Sequence, residues 1–575
     1  MVENNSIIQA LQETAILMEI KGENPFKIRA YANAARILTG LSTTIKILVE
    51  KNELTEIKGI GKGIADFIKE IISTGKSSEL MRLKENIPAG VIDMLRIPGM
   101  GPKKVKTVWE ELQIKSIGEL EYACQENRLL ELDGFGKKSQ DKILQGIELV
   151  KRYSDRRLLS GILETAENLQ NSIQNIAGVK HCAIAGSLRR WKETIKNINL
   201  VISTSENRLQ IIKTLSALPM VESLTDQDNT LQVILKDGTS AEIEIVSEQQ
   251  FPLALLYSTG SIEFNVILQS VAQNQGFRLG KNELYQNGTS LEYTDEEDIF
   301  QKLGMSFIPA ELRENRGEIQ FAINEQIPQL VEVKDIKGVI HVHSDYSDGI
   351  HSIRELALAC QKMGYEYLVI SDHSKTAAYA RGLSEHRIKE QLKEIDSLNH
   401  ELKNFGILKS IECDILSDGH LDYEEDILSS FDLVIASIHS KFSMTESEAT
   451  GRLIKAMESP FTTIIGHPTG RLLLAREGYP VNLNDLMIEA AKKNVALELN
   501  ANPHRLDLDW RYLKQAKELG IKISINPDAH RIEGITDIRY GVGIARKGWL
   551  TRHDVLNCLS SEEILQFARR RRISI

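Results

Sequence analysis

The alternation of apolar and polar positions divides the chain into three textures. Up to about residue 85 apolar residues recur at helical spacing; Ile7 to Ile20 reads as one helix, and Asn24-Pro25 opens another over Phe26 to Leu38. From Ala183 the pattern changes: Ala183-Ile-Ala, Asn197-Ile-Asn-Leu-Val-Ile and Ala241-Glu-Ile-Glu-Ile-Val predict strands, the last with strict two-residue alternation. Gly186-Ser187 reads as a turn and Leu188-Arg189-Arg190 as the start of a helix. Beyond about residue 336, short apolar runs starting near Val339, Tyr367, Leu433, Thr463 and Ile523 alternate with helical segments Ser352 to Met363, Glu385 to Phe405 and Leu483 to Lys493. Such alternation predicts a parallel sheet or barrel whose strand C-termini share one rim.

That rim is where the chemistry concentrates. The stretch Ile340 to Gly349, I-H-V-H-S-D-Y-S-D-G, places His341 and His343 two residues apart, hence on one strand face, with Asp348 in the following loop. A lone H-x-H is weak, because paired histidines often share a surface. Here, however, the later apolar runs also end in metal-type ligands: His373, Glu412, His439, His467, and Asp528 with His530.

Earlier in the chain, glycine punctuates helices in a repeated frame. L-T-E-I-K-G-I-G-K-G-I-A-D-F-I at 54 to 68 predicts a short helix, a tight turn at Gly59-Ile60-Gly61 and a second helix starting near Lys62. The frame recurs around Gly99 and Gly101, followed by Lys103 and Lys104, and around Gly134 and Gly136, followed by Lys137 and Lys138. One G-x-G is usually a helix cap. Three in one frame resemble helix-hairpin-helix elements, which grip the DNA backbone without reading bases. The run 151 to 157, K-R-Y-S-D-R-R, either extends the basic patch or is a solvated face; the terminal A-R-R-R-R at 568 to 572 contacts DNA or frays.

Residues from about 336 onward resemble a PHP (polymerase and histidinol phosphatase) domain through H-V-H, Y-S-D-G, S-D-H, A-S-I-H, G-H-P-T-G-R-L-L, E-L-N-A-N-P and N-P-D-A-H. The resemblance implies a distorted (β/α) barrel holding up to three divalent metals, and phosphoester hydrolysis. Its implied ligands are His341, His343, Asp348, His373, Glu412, His439, His467, Asp528 and His530. Among the implied catalytic residues are Asp348, His373 and His439, with Arg471 either a phosphate contact or a solvated loop residue. Mixed imidazole and carboxylate ligation favours manganese, zinc or iron over magnesium.

The middle of the chain resembles the palm of family X DNA polymerases, so the whole chain is similar to bacterial family X polymerases fused to a PHP domain. Ser187, Arg190, Tyr257, Gly260 and Asn265 match nucleotide-side positions of that family. The departures lie at the metal side: Asn197 and Asn199 stand where the family has D-x-D, and Glu242 where it has a third Asp. An amide ligates without charge and cannot act as base; at ~4 Å and an effective dielectric of 20 each lost charge pair is worth about 4 kcal/mol. The expectation is a polymerase site impaired for magnesium, with Ser258 beside Tyr257 altering sugar discrimination. Phe67 occupies the position of the Schiff-base lysine of the DNA polymerase beta lyase, and Lys62 and Lys69 are offset from it, so no lyase is expected.

The resemblance gives a layout of 1–85 helical with the first hairpin, 86–157 fingers-like with two hairpins, 158–248 palm, 249–318 thumb-like, 319–335 linker and 336–575 PHP. The implied function is DNA repair by a metal-dependent 3′→5′ exonuclease or phosphodiesterase, extending to abasic-site cutting. The alternatives are a still-active gap-filling polymerase with a PHP nuclease, a non-catalytic DNA scaffold, and a small-molecule phosphatase, for which three hairpins have no use. Implied partners are DNA ends or gaps and a deoxynucleoside triphosphate, with the chain a monomer. Composition changes little: 575 residues allow several domains, and 42% apolar with 26% charged content is ordinary for a globular chain. Five cysteines without C-x-x-C, an M-V-E-N-N-S start unlike a signal peptide, and no membrane-length apolar run predict a cytoplasmic protein. A net charge of −10 does not favour DNA but permits local basic patches.

Overall fold

The computed structural model describes residues 4–39, 45–151, 156–227 and 230–573, which fall into two compact units divided between Lys151 and Arg152. In the first unit, helices Asn4–Lys21 and Pro25–Thr39 are followed by three repeats of one device: a 3₁₀ turn, a G-x-G and a helix. The 3₁₀ turns are Leu54–Glu56, Met94–Arg96 and Arg128–Glu131; the helices are Lys62–Thr74, Pro102–Leu112 and Lys137–Lys151. In every repeat the residue between the glycines, Ile60, Met100 or Phe135, is buried, while the glycines themselves are exposed. The apolar residue pins the turn to the core and leaves the backbone of its neighbours outward.

The second unit holds a mixed α/β region and a barrel. The mixed region is a five-stranded sheet in the order Val179–Ala185, Ile198–Thr204, Ser240–Val246, Thr230–Leu235, Val221–Gln227, antiparallel except where Ile198–Thr204 runs parallel to Ser240–Val246. The predicted helix at Leu188 is a single turn, Gly186–Arg189, and stops because the chain reverses at Trp191, whose φ is +54°. Helices Phe251–Thr259 and Ile262–Asn274 and a three-stranded sheet follow.

Seven parallel strands make the barrel: Gly338–Val342, Tyr367–Ile370, Gly406–Asp414, Leu433–Ser437, Thr462–Ile465, Ala496–Asn500 and Ile523–Asn526. It nearly closes, because His343 N donates to the Ala529 carbonyl at 2.9 Å next to a Val342–Ala529 bridge. Strands such as Leu-Val-Ile-Ala-Ser at 433 to 437 are buried along their whole length, which is why they read as unbroken apolar runs. The intervening helices start at side-chain caps: Ser352 with Glu355, and Thr445 with Glu448, form capping boxes. One apolar cluster contains both sheet residues (Ile198, Leu200, Ile243) and barrel residues (Val339, Leu368, Ile525), so the two regions share a core. The expected linker is packed: Leu330 and Val331 are buried, and Val331 N donates to the Leu550 carbonyl at 2.9 Å. Among the described residues no helix is long and apolar enough to cross a membrane, and all five cysteines are buried and unpaired.

Candidate metal centre

Each barrel strand delivers a polar side chain to the same end. His341 and His343 come from the first strand, His373 follows the second, and Glu412 lies near the end of the third. His439, His467 and the pair Asp528 and His530 follow the fourth, fifth and seventh. All nine expected ligands meet there, eight of them buried and His439 partly so. Their atoms form three overlapping groups able to hold an ion: His343, Asp348, His373 and His530; His341, His343 and Asp528; and His373, Glu412 and His439. Glu412 is the hub, with Oε1 at 3.3 Å from His341 Nε2, 3.1 Å from His439 Nε2 and 3.0 Å from His467 Nε2.

Two-residue alternation did not foresee how the first strand aims its histidines. Its register shifts between Val339 and Val342, and His341 sits in the left-handed region at φ +65°. His467 (φ +24°) and Asp528 (φ +51°) also have positive φ. Such conformations cost non-glycine residues ~1–3 kcal/mol each and persist where surrounding packing imposes them, commonly at functional sites.

The charge pattern fits bound cations. His341 Nε2, His343 Nδ1, Asp348 Oδ2, His373 Nε2 and Glu412 Oε2 are buried and make no hydrogen bond to a described residue. Leaving one such atom dry and unbonded costs ~1–3 kcal/mol, so a convergent set needs a common partner. Burial and the neighbouring imidazoles of His530 and His373 push His343 down to about 3, leaving it a neutral donor. Burial opposes ionisation of Glu412 and Asp528, yet the surrounding histidines outweigh it and hold both carboxyls well below the usual range. His341 is raised because Glu498, Glu412 and Asp528 overcome the burial that works against its charge.

Two carboxylates at this rim were not foreseen. Glu498, on the one barrel strand that supplies no expected ligand, lies 2.6 Å from His341 Nδ1, and Asp414 lies 2.5 Å from His439 Nδ1. Glu498 opens the motif E-L-N-A-N-P and Asp414 lies two residues after Glu412, but nothing in their spacing says which histidine they stand behind.

Comparison with known proteins agrees with this geometry. Residues 2–77 match a helix-hairpin-helix domain, 91–148 a SAM-like helix-hairpin-helix tandem, 254–314 the DNA polymerase beta thumb and 340–502 the PHP domain. Over 574 residues, 99% of this chain and 100% of the relative, the sequence is 39% identical to the DNA polymerase/3′-5′ exonuclease PolX of Bacillus subtilis (strain 168). The chain belongs to the PolX family, family X DNA polymerases fused to a PHP domain. A probable phosphatase of Thermoanaerobacter sp. (strain X514) is 26% identical over 228 residues, covering 38% of this chain and 88% of that protein. Another, of Photobacterium profundum, is 27% identical over 232 residues, covering 37% and 88%. PolX membership and the hairpin domains imply DNA binding, and the PHP domain implies divalent metals.

The middle sheet is arranged differently from the rim. Asn199 and Glu242 are directly paired across the parallel strands, and Asn199 Nδ2 donates to Glu242 Oε2 at 3.0 Å. Glu244 accepts from Ser258 Oγ at 2.9 Å and pairs with Lys281 Nζ at 2.9 Å. These residues line a cavity of about 280 Å³ together with Tyr257, Gly260 and Asn265. Asn197 precedes the strand and does not line the cavity. Asn265 Nδ2 donates to the Tyr257 carbonyl at 2.7 Å, and Ser187 lies half-buried in the one-turn helix.

Two expected phosphate contacts are occupied elsewhere. Arg190 donates from Nε to Glu314 Oε1 at 3.0 Å and from Nη1 to the Thr259 carbonyl at 2.6 Å. Arg471 is neither a solvated loop residue nor turned to the metal cluster: it binds Asp509 (2.6 Å), Glu193 (3.3 Å) and the carbonyls of Arg505 and Leu506. Both belong to a joint between sheet and barrel. There Lys547, with a fully buried side chain, donates to Glu314 Oε1 (2.5 Å) and to the Arg190 carbonyl (2.9 Å), and stacks 4.4 Å from the Trp510 ring centre.

In the hairpins, Lys62, Lys103, Lys137 and Lys138 are exposed; Lys104 is partly buried, donating to Ser139 Oγ at 2.9 Å beside the Phe135 ring. Gly59, Gly99 and Gly134 need glycine for φ of +102°, +88° and +83°. Gly61, Gly101 and Gly136 have ordinary backbone, and a Cβ there would meet nothing within 4 Å. Phe67 is buried against Tyr31, their ring centres 5.1 Å apart. Of the 151 to 157 run, residues 152–155 lie outside the described residues.

Proposed function

We propose that the chain hydrolyses DNA phosphodiesters at 3′ ends as a metal-dependent 3′→5′ exonuclease, with the barrel rim as its active centre. The observation that carries this reading is the convergence of eight ligand residues, all but His439 buried, with hydrogen-bonding atoms left over for cations. The activity named for the Bacillus relative supports it. His341, His343, Asp348, His373, Glu412, His439, Asp528 and His530 would hold the metals, and the mixed donor set suits manganese, zinc or iron. When bound, divalent cations polarise a phosphoryl oxygen and stabilise the charge that builds on it. Asp348, Glu412 and Asp528 supply the negative charge that offsets the cations. His467 orients Glu412 through its 3.0 Å contact, and the buried walls keep bulk water from the charges. Asp348, His373 and His439 are the residues assigned to the reacting phosphate. Abasic-site cutting would use the same chemistry.

The hairpins would grip the DNA backbone. Support comes from Gly61, Gly101 and Gly136, where the fold leaves room for a side chain yet the chain keeps an open approach beside lysines. The domain layout is that of the resemblance, with the middle sheet as palm. Its polymerase site is impaired in this reading: Glu242 is the one lining carboxylate not neutralised by lysine, a donor set that does not suit two magnesium ions. A nucleotide or DNA end would sit in the cavity without being joined. The name of the relative favours a second reading, gap filling by a working polymerase. The test is His341→Ala beside wild type on a labelled primer-template in Mn²⁺, with and without deoxynucleotides. Shortening by wild type and none by the variant supports the nuclease; extension by either protein establishes the polymerase, and absence of shortening by wild type removes the nuclease.

A further inference from the structure

His341 and His439 share an arrangement that ties each to a carboxylate standing outside the ligand groups. Each turns Nδ1 away from the cluster onto a buried acid, Glu498 Oε1 at 2.6 Å and Asp414 Oδ1 at 2.5 Å. Each is thereby left with Nε2 facing Glu412 Oε1, at 3.3 and 3.1 Å. Neither Glu498 nor Asp414 belongs to any group of convergent ligand atoms.

Glu498 is not a spare ligand. Its oxygens also accept from Asn526 Nδ2 (2.7 Å), Asn500 Nδ2 (3.2 Å) and the His467 backbone N–H (2.6 Å), so it cannot turn inward without breaking four contacts. An acid so held fixes the neighbouring imidazole as the Nδ1–H tautomer, orients the ring and makes Nε2 a stronger donor. The two histidines enter different groups: His341 sits with His343 and Asp528, His439 with His373 and Glu412.

We propose that Glu498 and Asp414 are positioning residues that each govern one metal position, Glu498 that of His341, His343 and Asp528, and Asp414 that of His373, Glu412 and His439. The proposal rests on the metal-dependent reading above. It assigns the outer carboxylates separate rather than shared effects, because their histidines lie in different groups.

The test titrates full-length, metal-free protein with Mn²⁺, read by electron paramagnetic resonance of the free ion, and with Co²⁺, read by visible absorption. Glu498→Gln and Asp414→Asn should each weaken one bound equivalent by ~10–100-fold and leave the others unchanged. The double variant should weaken two, and Glu498→Asp, which keeps the charge one methylene further away, should fall between. Melting of the metal-free proteins separates this from misfolding: a structural role would lower the melting temperature and weaken every equivalent together, which overturns the proposal. Unchanged affinities in both variants overturn it as well. Wild-type protein that takes up no divalent cation overturns the metal-dependent reading itself, a different outcome from variants that bind like wild type.

Discussion

The barrel rim and the middle-sheet cavity are both built at strand ends from acids and their close relatives, yet they dispose of charge in opposite ways. At the rim the three expected ligand carboxylates face six imidazoles, with Glu498 and Asp414 behind two of them, and buried ligand atoms remain without hydrogen bonds. In the cavity every acid has been met from within: Glu242 by the Asn199 amide, Glu244 by Lys281 and Ser258. A site that awaits a cation leaves its donors open. In the proposed reading, the cavity that closes its donors on one another is the poorer metal site.

The contrast can be broken most directly at its hub. Glu412→Gln should lower nuclease activity in Mn²⁺ by ~10³-fold or more, the scale of about 4 kcal/mol; an active variant would remove Glu412 from the centre. On the cavity side, the triple change Asn197→Asp, Asn199→Asp, Glu242→Asp should raise primer extension in Mg²⁺ by ~10²-fold, measured in a background lacking His341. Equal extension by the unaltered chain would erase the difference between the sites.

The joint between the two regions gives smaller effects. Lys547→Met removes one of three cations around Glu314, leaving Arg190 and Lys192, and should cost about 1.5–3 kcal/mol in denaturant unfolding. Burial pushes the Glu314 carboxyl up, but Lys547, Arg190 and Lys192 together bring it down to about 2 from 4.5. A depressed carboxyl contributes stability that is complete above pH 4.5 and lost as pH falls toward 2, on the order of 3 kcal/mol. The stability gap between wild type and Glu314→Gln should therefore shrink through that window. Smallest of all, Gly99→Ala should cost about 1 kcal/mol for its positive φ, whereas Gly101→Ala should leave stability within ~0.5 kcal/mol and weaken DNA binding several-fold.

Much of this was legible in the sequence where one periodicity governs one element. Leu483–Lys493 forms as read, Ser352 caps its helix, and the unbroken apolar runs are barrel strands buried on both faces. The nine expected ligands could be proposed from the sequence because they lie in, or in the loops just after, the C-terminal ends of predicted strands. What escaped depends on neighbours far along the chain. The bulge that aims His341 needs the closing strand near Ala529, and Glu498 is recognisable only once it stands behind a histidine 157 residues away. The resemblance reads Arg190 and Arg471 as phosphate contacts, and their ion pairs with Glu314 and Asp509 were not legible because those partners are distant in sequence.

The shared core of sheet and barrel bears on how this protein can be dissected. Trp549 of the barrel packs in the same apolar cluster as Phe264 and Phe300, and a Cβ at Gly543 would strike the Trp191 ring at 2.2 Å. A truncation ending near residue 335 would therefore strip the remaining half of part of its own interior and lay bare greasy surface. Loss of nucleotide or DNA binding by such a fragment would report damage to its folding, so the two sites are better separated by point substitutions than by scissors.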